Sequence, residues 1–174
     1  MHRFFFIPKP TQRGFSLIEL LIYMALLSGI SVILVNSYVS LTKGRGQSEA
    51  RSEVSTNLRF ALDRMSGDVK SATVLFSPVF SIATTTLNLG VGTTTVIYDV
   101  VGGRLRRTQA PLAAEFVTST KVTIDALLFT RVENYNAPLA GTTTQLRTTL
   151  TMRYNSSSTD WAFVDSVQST TALR

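Results

Sequence analysis

A long apolar run from Phe15 to Leu41, carrying one charge at Glu19, sets the limits on what this chain can fold into. As a helix rising about 1.5 Å per residue it would reach about 40 Å. A bilayer's hydrocarbon core, about 30 Å thick, needs only about 20 residues. A secretory signal peptide has an apolar core of about 7 to 15 residues and then a small-residue cut site. Here the run is far longer and no A-x-A-like site follows, so it reads as a retained membrane helix. Charge does not orient it. Arg3, Lys9 and Arg13 precede the run, but Lys43, Arg45 and Arg51 follow closely.

Glu19 needs a reason to be there, because a carboxylate at the centre of a membrane helix costs about 2.5 to 3.5 kcal/mol on insertion scales. Ser16-Leu17-Ile18-Glu19 fits the capping box S-x-x-E. Ser16 would cap the helix, Glu19 would reach back to the Ser16 amide, and Phe15 and Leu20 would form the hydrophobic staple. A first-turn acid also suits the positive end of the helix. This explains a glutamate at a helix start. It leaves unexplained the glycine and the basic residues just before it.

Those residues carry a resemblance. "RGFSLIELLI", from Arg13 to Ile22, resembles the processing signal of type IV prepilins and type II secretion pseudopilins. The match is specific but covers about ten residues. It implies a leader over residues 1–14, cut between Gly14 and Phe15 by a membrane-embedded prepilin peptidase that also N-methylates Phe15. It implies that Glu19 is the glutamate at the fifth mature position. It further implies a single pass through a bacterial cytoplasmic membrane, with a cytoplasmic N-terminus and the rest outside, and later a place in an extracytoplasmic fibre. The early helix-bending proline of many members is absent; Ser28 and Gly29 occupy the middle of the run, where glycine would soften the helix.

A physical rationale stands beside the resemblance. Cleavage gives Phe15 a positive α-amino group. Pairing with that group, its own or a neighbour's, offsets the desolvation of the Glu19 carboxylate, whereas an unpaired buried charge is strongly destabilising. Among stacked helices such a pair would set the register of an incoming subunit.

Beyond the membrane, Lys43-Gly-Arg-Gly46 marks a weak point or kink. Helical spacing then resumes through Val54, Leu58, Ala61, Leu62, Met65, Val69 and Ala72, one apolar stripe for packing on the protein's own domain. Arg59 with Asp63, and Arg64 with Asp68, are four apart and suited to pairing along the helix. The expected divisions are a leader at 1–14, a membrane and assembly helix at 15–42, an amphipathic helix at 43–72, and a β-rich domain at 73–174.

From Thr73 the apolar period becomes two. Val96–Val101, Gly102-Gly103 and Arg104–Arg107 read as a β-hairpin, since paired glycines suit a tight turn with positive φ. Val122–Val132 reads as a strand whose alternation slips near Ala126–Leu128, the mark of a bulge. Gln145–Tyr154 alternates cleanly, with Leu146, Thr148, Leu150, Met152 and Tyr154 on one face. Trp161–Val167 is a short closing strand, and Leu87–Val91 a weaker one. Threonine clusters at 84–86, 93–95 and 142–144 look like loops or strand ends. The fold class is α+β, a long N-terminal helix packed on a mostly antiparallel sheet. This resembles the pilin architecture; more narrowly, the hairpin and following strands resemble J-type minor pseudopilins and W-type minor pilins.

With no cysteine, and its one histidine at His2 in the leader, the mature chain lacks thiolate chemistry, histidine metal sites and a serine–histidine pair. No cofactor is expected. Asp160 and Asp165 are too sparse for a calcium site. Asp99, Glu115, Asp125 and Glu133 fall on different elements, so catalysis is not expected. Without residues 1–14 the net charge drops from +6 to +3, too mild to imply nucleic acid. The densest basic group, Arg104, Arg106 and Arg107, reads as solvated strand positions, with phosphate contact as the alternative. The leading reading is a minor pilin or pseudopilin, built into or at the tip of a pilus-like or secretion fibre, whose partners are other subunits, the prepilin peptidase and membrane lipid. The alternatives are a DNA-binding minor pilin of an uptake system and a generic membrane-anchored extracytoplasmic domain.

Overall fold

The computed structural model describes residues 14–137 and 141–173. The chain divides into two compact units, residues 1–42 and 43–174. In the first, the described structure is the early part of helix α1, Leu17–Ser71. Its apolar side chains are all exposed. Three of its hydroxyls turn back onto the helix backbone. Ser28 donates to the Ala25 carbonyl at 2.8 Å, Ser31 to Leu27 at 2.8 Å, and Thr42 to Tyr38 at 3.0 Å. A hydroxyl satisfied by its own backbone can sit in lipid without an orphaned donor.

The span of α1 includes Gly29, Gly44 and Gly46. At Gly46 the structure supplies a different use for glycine: the indole of Trp161 lies where a side chain would be, and an added Cβ would overlap it.

In the second unit, α1 buries Ala50, Val54, Leu58, Ala61, Met65 and Val69. These are the expected stripe, one turn apart, with Leu62 only partly buried. The stripe packs on the inner faces of two antiparallel sheets, where a single sheet was expected. One sheet has the order β1-β3-β4-β5-β6, with β1 Val74–Ser77, β3 Leu87–Val91, β4 Thr94–Val101, β5 Arg104–Gln109 and β6 Glu115–Phe116. The other has the order β2-β7-β8-β9, with β2 Ala83–Thr84, β7 Val122–Asn136, β8 Gly141–Tyr154 and β9 Val164–Ala172.

The β4–β5 hairpin turns at Gly102 and Gly103, whose φ angles are 59° and 73°. Gly103 also meets β7: its carbonyl accepts from the Ile124 amide at 2.8 Å. A Cβ there would come within 2.8 Å of Thr123 Cγ2. Glycine is required twice over, by the backbone angle and by the close approach of the two sheets.

The bulge in β7 falls between Ile124 and Ala126. Before it Val122 and Ile124 face the core; after it Leu127 and Phe129 do. One extra residue, Asp125, shifts the alternation and keeps apolar side chains inward on both sides. On β8 Leu146, Thr148, Leu150 and Met152 are buried, as their alternation requires.

The closing strand differs from expectation. Trp161 belongs to a 3-10 turn, Thr159–Trp161, in which the Ser158 side chain accepts from the Asp160 amide. β9 begins at Val164 and continues along β8 to Ala172. The threonines at 142–144 form the beginning of β8, the strand end that was one of the two expected placements.

Candidate processing and assembly site

Among the described residues, nothing lies within 4 Å of a Cβ added at Gly14. Phe15 is 74 % exposed. A peptide bond between two such residues, just ahead of the helix, is accessible to a protease in a way that a helical bond is not. Residues 1–13 lie outside the described residues.

Ser16 stands at the position before α1, and its carbonyl accepts the first helical bond from the Leu20 amide at 3.2 Å. This is the N-cap position the sequence indicated. The capping-box partner differs. The Glu19 carboxylate accepts from the Tyr23 hydroxyl at 3.3 Å, one turn along the helix. Phe15 packs edge-on against the same tyrosine, with ring centroids 6.3 Å apart. Tyr23 was missed in the sequence, although its spacing of four from Glu19 was the available signal. The arrangement leaves the carboxylate half-buried at the helix start, close in sequence to the residue that cleavage would make a cation.

The arginines of the hairpin are tied into the domain. Arg104 donates to the Thr118 carbonyl at 2.8 Å and lies 4.1 Å from the centroid of the Phe116 ring. Arg106 is bidentate to Asp99 across the hairpin. Arg107 is buried, not solvated as its sequence position suggested. It reaches Asp68 of α1 at 2.7 Å and Glu115 at 3.4 Å. Asp68 and Arg64 thus leave the helix-surface pair expected of them, because Arg64 meets Glu115 at 3.4 Å.

The scattered acids have similar partners. Asp99 pairs with Arg106, Asp125 with Arg153 at 3.1 Å, and Glu133 with Arg131 at 2.6 Å. Asp160 pairs with Lys43 at 3.1 Å. Among the described residues no three acidic or histidine side chains gather into a metal-binding group.

These features define a class: a membrane-anchored protein with one apolar N-terminal helix, an accessible bond before it, a lone carboxylate in its first turn and a β-rich domain behind. Comparison with known protein families matches the N-terminal part of the chain. Residues 9–35 match the prokaryotic N-terminal methylation motif, the hallmark of type IV prepilins and pseudopilins, a family that is structural rather than enzymatic. The matched residues include Gly14, Phe15 and Glu19. No curated protein matches the chain, and no solved structure matches it.

Proposed function

We propose that this chain is the precursor of a minor pilin or pseudopilin. A prepilin peptidase cuts between Gly14 and Phe15 and methylates the new amino group. The mature subunit then leaves the membrane through its helix and joins other subunits in a fibre or at its tip, with Glu19 setting the axial register. The observation that carries this reading is the coincidence of an unobstructed Gly14 and an exposed Phe15 with a partly buried glutamate in the first turn of a helix that is otherwise uncharged to Leu41. A DNA-binding role gains no support from the hairpin, whose three arginines already have partners within the domain. A generic anchor accounts for the helix but gives Gly14 and Glu19 no task.

Co-expression with a prepilin peptidase tests the proposal. Mass spectrometry of the recovered protein should show loss of residues 1–14 and one added methyl group on Phe15. A chain that keeps its leader beside an active peptidase, one that cuts a control prepilin in the same cells, is a generic anchor instead.

A further inference from the structure

Where α1 enters the domain, the structure builds a corner with no evident task inside the fold. Trp161 lies against the bare helix surface at Gly46, yet its side chain stays 36 % exposed. Its turn is fastened from both sides. Gln47 donates to the Asp160 carbonyl at 3.3 Å, and Lys43 pairs with the Asp160 carboxylate at 3.1 Å. The indole is therefore held in place rather than left free.

Two arginines of this stretch of α1 have no acidic partner among the described residues: Arg51, which lines the same surface hollow as Trp161, and Arg45, next to Gly46 in the sequence. Arg51 sits over the Phe163 ring, 5.4 Å from its centroid. Arg45 is exposed and has no ion pair among the described residues. The nearby acids are already matched, Asp160 by Lys43 and Glu49 by Lys121 at 2.9 Å. What remains is a partly exposed indole with the uncompensated Arg51 beside it and the uncompensated, exposed Arg45 adjoining Gly46 in the sequence.

The position along the chain says what such a corner can meet. The apolar run ends at Leu41, and Gly46 is five residues further, about 7.5 Å along a helix. The headgroup layer on each side of a bilayer is about 5 to 8 Å deep. Tryptophan favours that layer because its body is apolar and its N–H finds partners there. Arginines just outside an apolar span favour anionic headgroups.

We propose that Trp161, Arg45 and Arg51 form a seat for anionic phospholipid headgroups, which holds the domain on the outer membrane surface until the subunit is extracted. Leaving the membrane for a fibre must then release this contact as well as the apolar helix. The inference rests on the reading of residues 15–42 as a membrane span, but not on cleavage.

Trp161 is the only tryptophan, so its fluorescence reports on this corner alone. The full chain is reconstituted into phosphatidylethanolamine vesicles containing one quarter phosphatidylglycerol, with bromines placed either high on the acyl chains or near their ends. Vesicle flotation after carbonate washing reports the span separately. The expected result is flotation, shielding of the indole from aqueous iodide, and quenching at least about twofold stronger by the shallow bromines. Arg45→Glu, or removal of the phosphatidylglycerol, should weaken that quenching. Flotation with an indole open to iodide and untouched by bromines overturns the seat while leaving the span intact. Quenching that ignores both the lipid charge and Arg45→Glu overturns the anionic preference. Protection from iodide and bromines together, growing with protein density, means that a second copy covers the corner and overturns the proposal. Failure to float removes the span and the seat with it.

Discussion

Arg107 on β5 reaches Asp68 on α1 with its Nε 2.7 Å from Oδ2, and both side chains are largely withdrawn from water. The same carboxylate oxygen accepts from the Tyr98 hydroxyl at 2.5 Å, and Gln109 accepts from the Arg107 guanidinium at 2.7 Å. A polar network thus fastens the late turns of α1 to β4 and β5 beside an apolar core. Removing one member strands the others, which is the costly way to break a buried pair. Asp68→Leu should destabilise the domain by about 3 kcal/mol, and Arg107→Met by a similar amount. The double variant Asp68→Leu with Arg107→Met should lose much less than the sum. Denaturant melts of the four proteins in detergent, read as a double-mutant cycle, check this; simple additivity contradicts it.

The same network makes a prediction for alkaline solution. Burial pushes the Tyr98 hydroxyl far above its ordinary value near 10, and its hydrogen bond to Asp68 and that carboxylate's charge add to the shift. A group whose folded value is raised holds its proton longer in the folded state. Its stabilisation is complete below the unfolded value and is lost as pH climbs beyond it. Stability should therefore fall as pH rises above about 10, the unfolded tyrosine value. Tyr98→Phe should be less stable at neutral pH and show a shallower alkaline decline. Melting temperatures of both proteins, measured from neutral to strongly alkaline pH, decide it; parallel curves mean that Tyr98 does not titrate as described.

Two glycines in one turn of α1 should respond in opposite directions. Gly44 faces open space, so Gly44→Ala should gain about 0.5 to 1 kcal/mol from helix propensity. Gly46 lies under the Trp161 indole, so Gly46→Ala must push the ring away and should cost about 1 to 3 kcal/mol. Thermal melts give the sign of each change, and tryptophan emission should move only for Gly46→Ala. An equal gain at both positions would mean that the indole gives way freely.

Glu19→Ala keeps the Gly14–Phe15 bond and lengthens the apolar run, so insertion and cleavage should persist. Co-assembly should fall by at least about tenfold, the equivalent of about 1.4 kcal/mol per contact. Mass spectrometry tracks processing, and recovery of subunits in sheared fibres tracks assembly. Normal fibre incorporation of the variant removes Glu19 from the register mechanism.

Much of the architecture was legible because it repeats a simple period. The apolar stripe of α1, the Gly102-Gly103 hairpin, β3 and the clean alternation of β8 all show in the sequence. β9 was foreshortened because Ser166, Gln168, Ser169, Thr170 and Thr171 give no apolar signal; its ladder with β8 extends it. The strands β1, β2 and β6 span too few residues to show a period. The split into two sheets depends on pairings between distant strands, and no local pattern reports those. At the proposed processing site Gly14, Phe15 and Glu19 stood out through the family resemblance and Ser16 through the capping-box spacing, but Tyr23 passed as one more lipid-facing side chain. The glycines at 44 and 46 looked alike in the sequence. Only the return of the chain at Trp161, far along in sequence, tells them apart.

The core draws its helical share from Ala50 onward, while the apolar run stops at Leu41. Anchorage and folding thus occupy successive lengths of one rod and share none of those residues. Severing the rod just before Lys43 should free a water-soluble body with its interior complete, whereas severing it at Thr73 would strip the sheets of their cover.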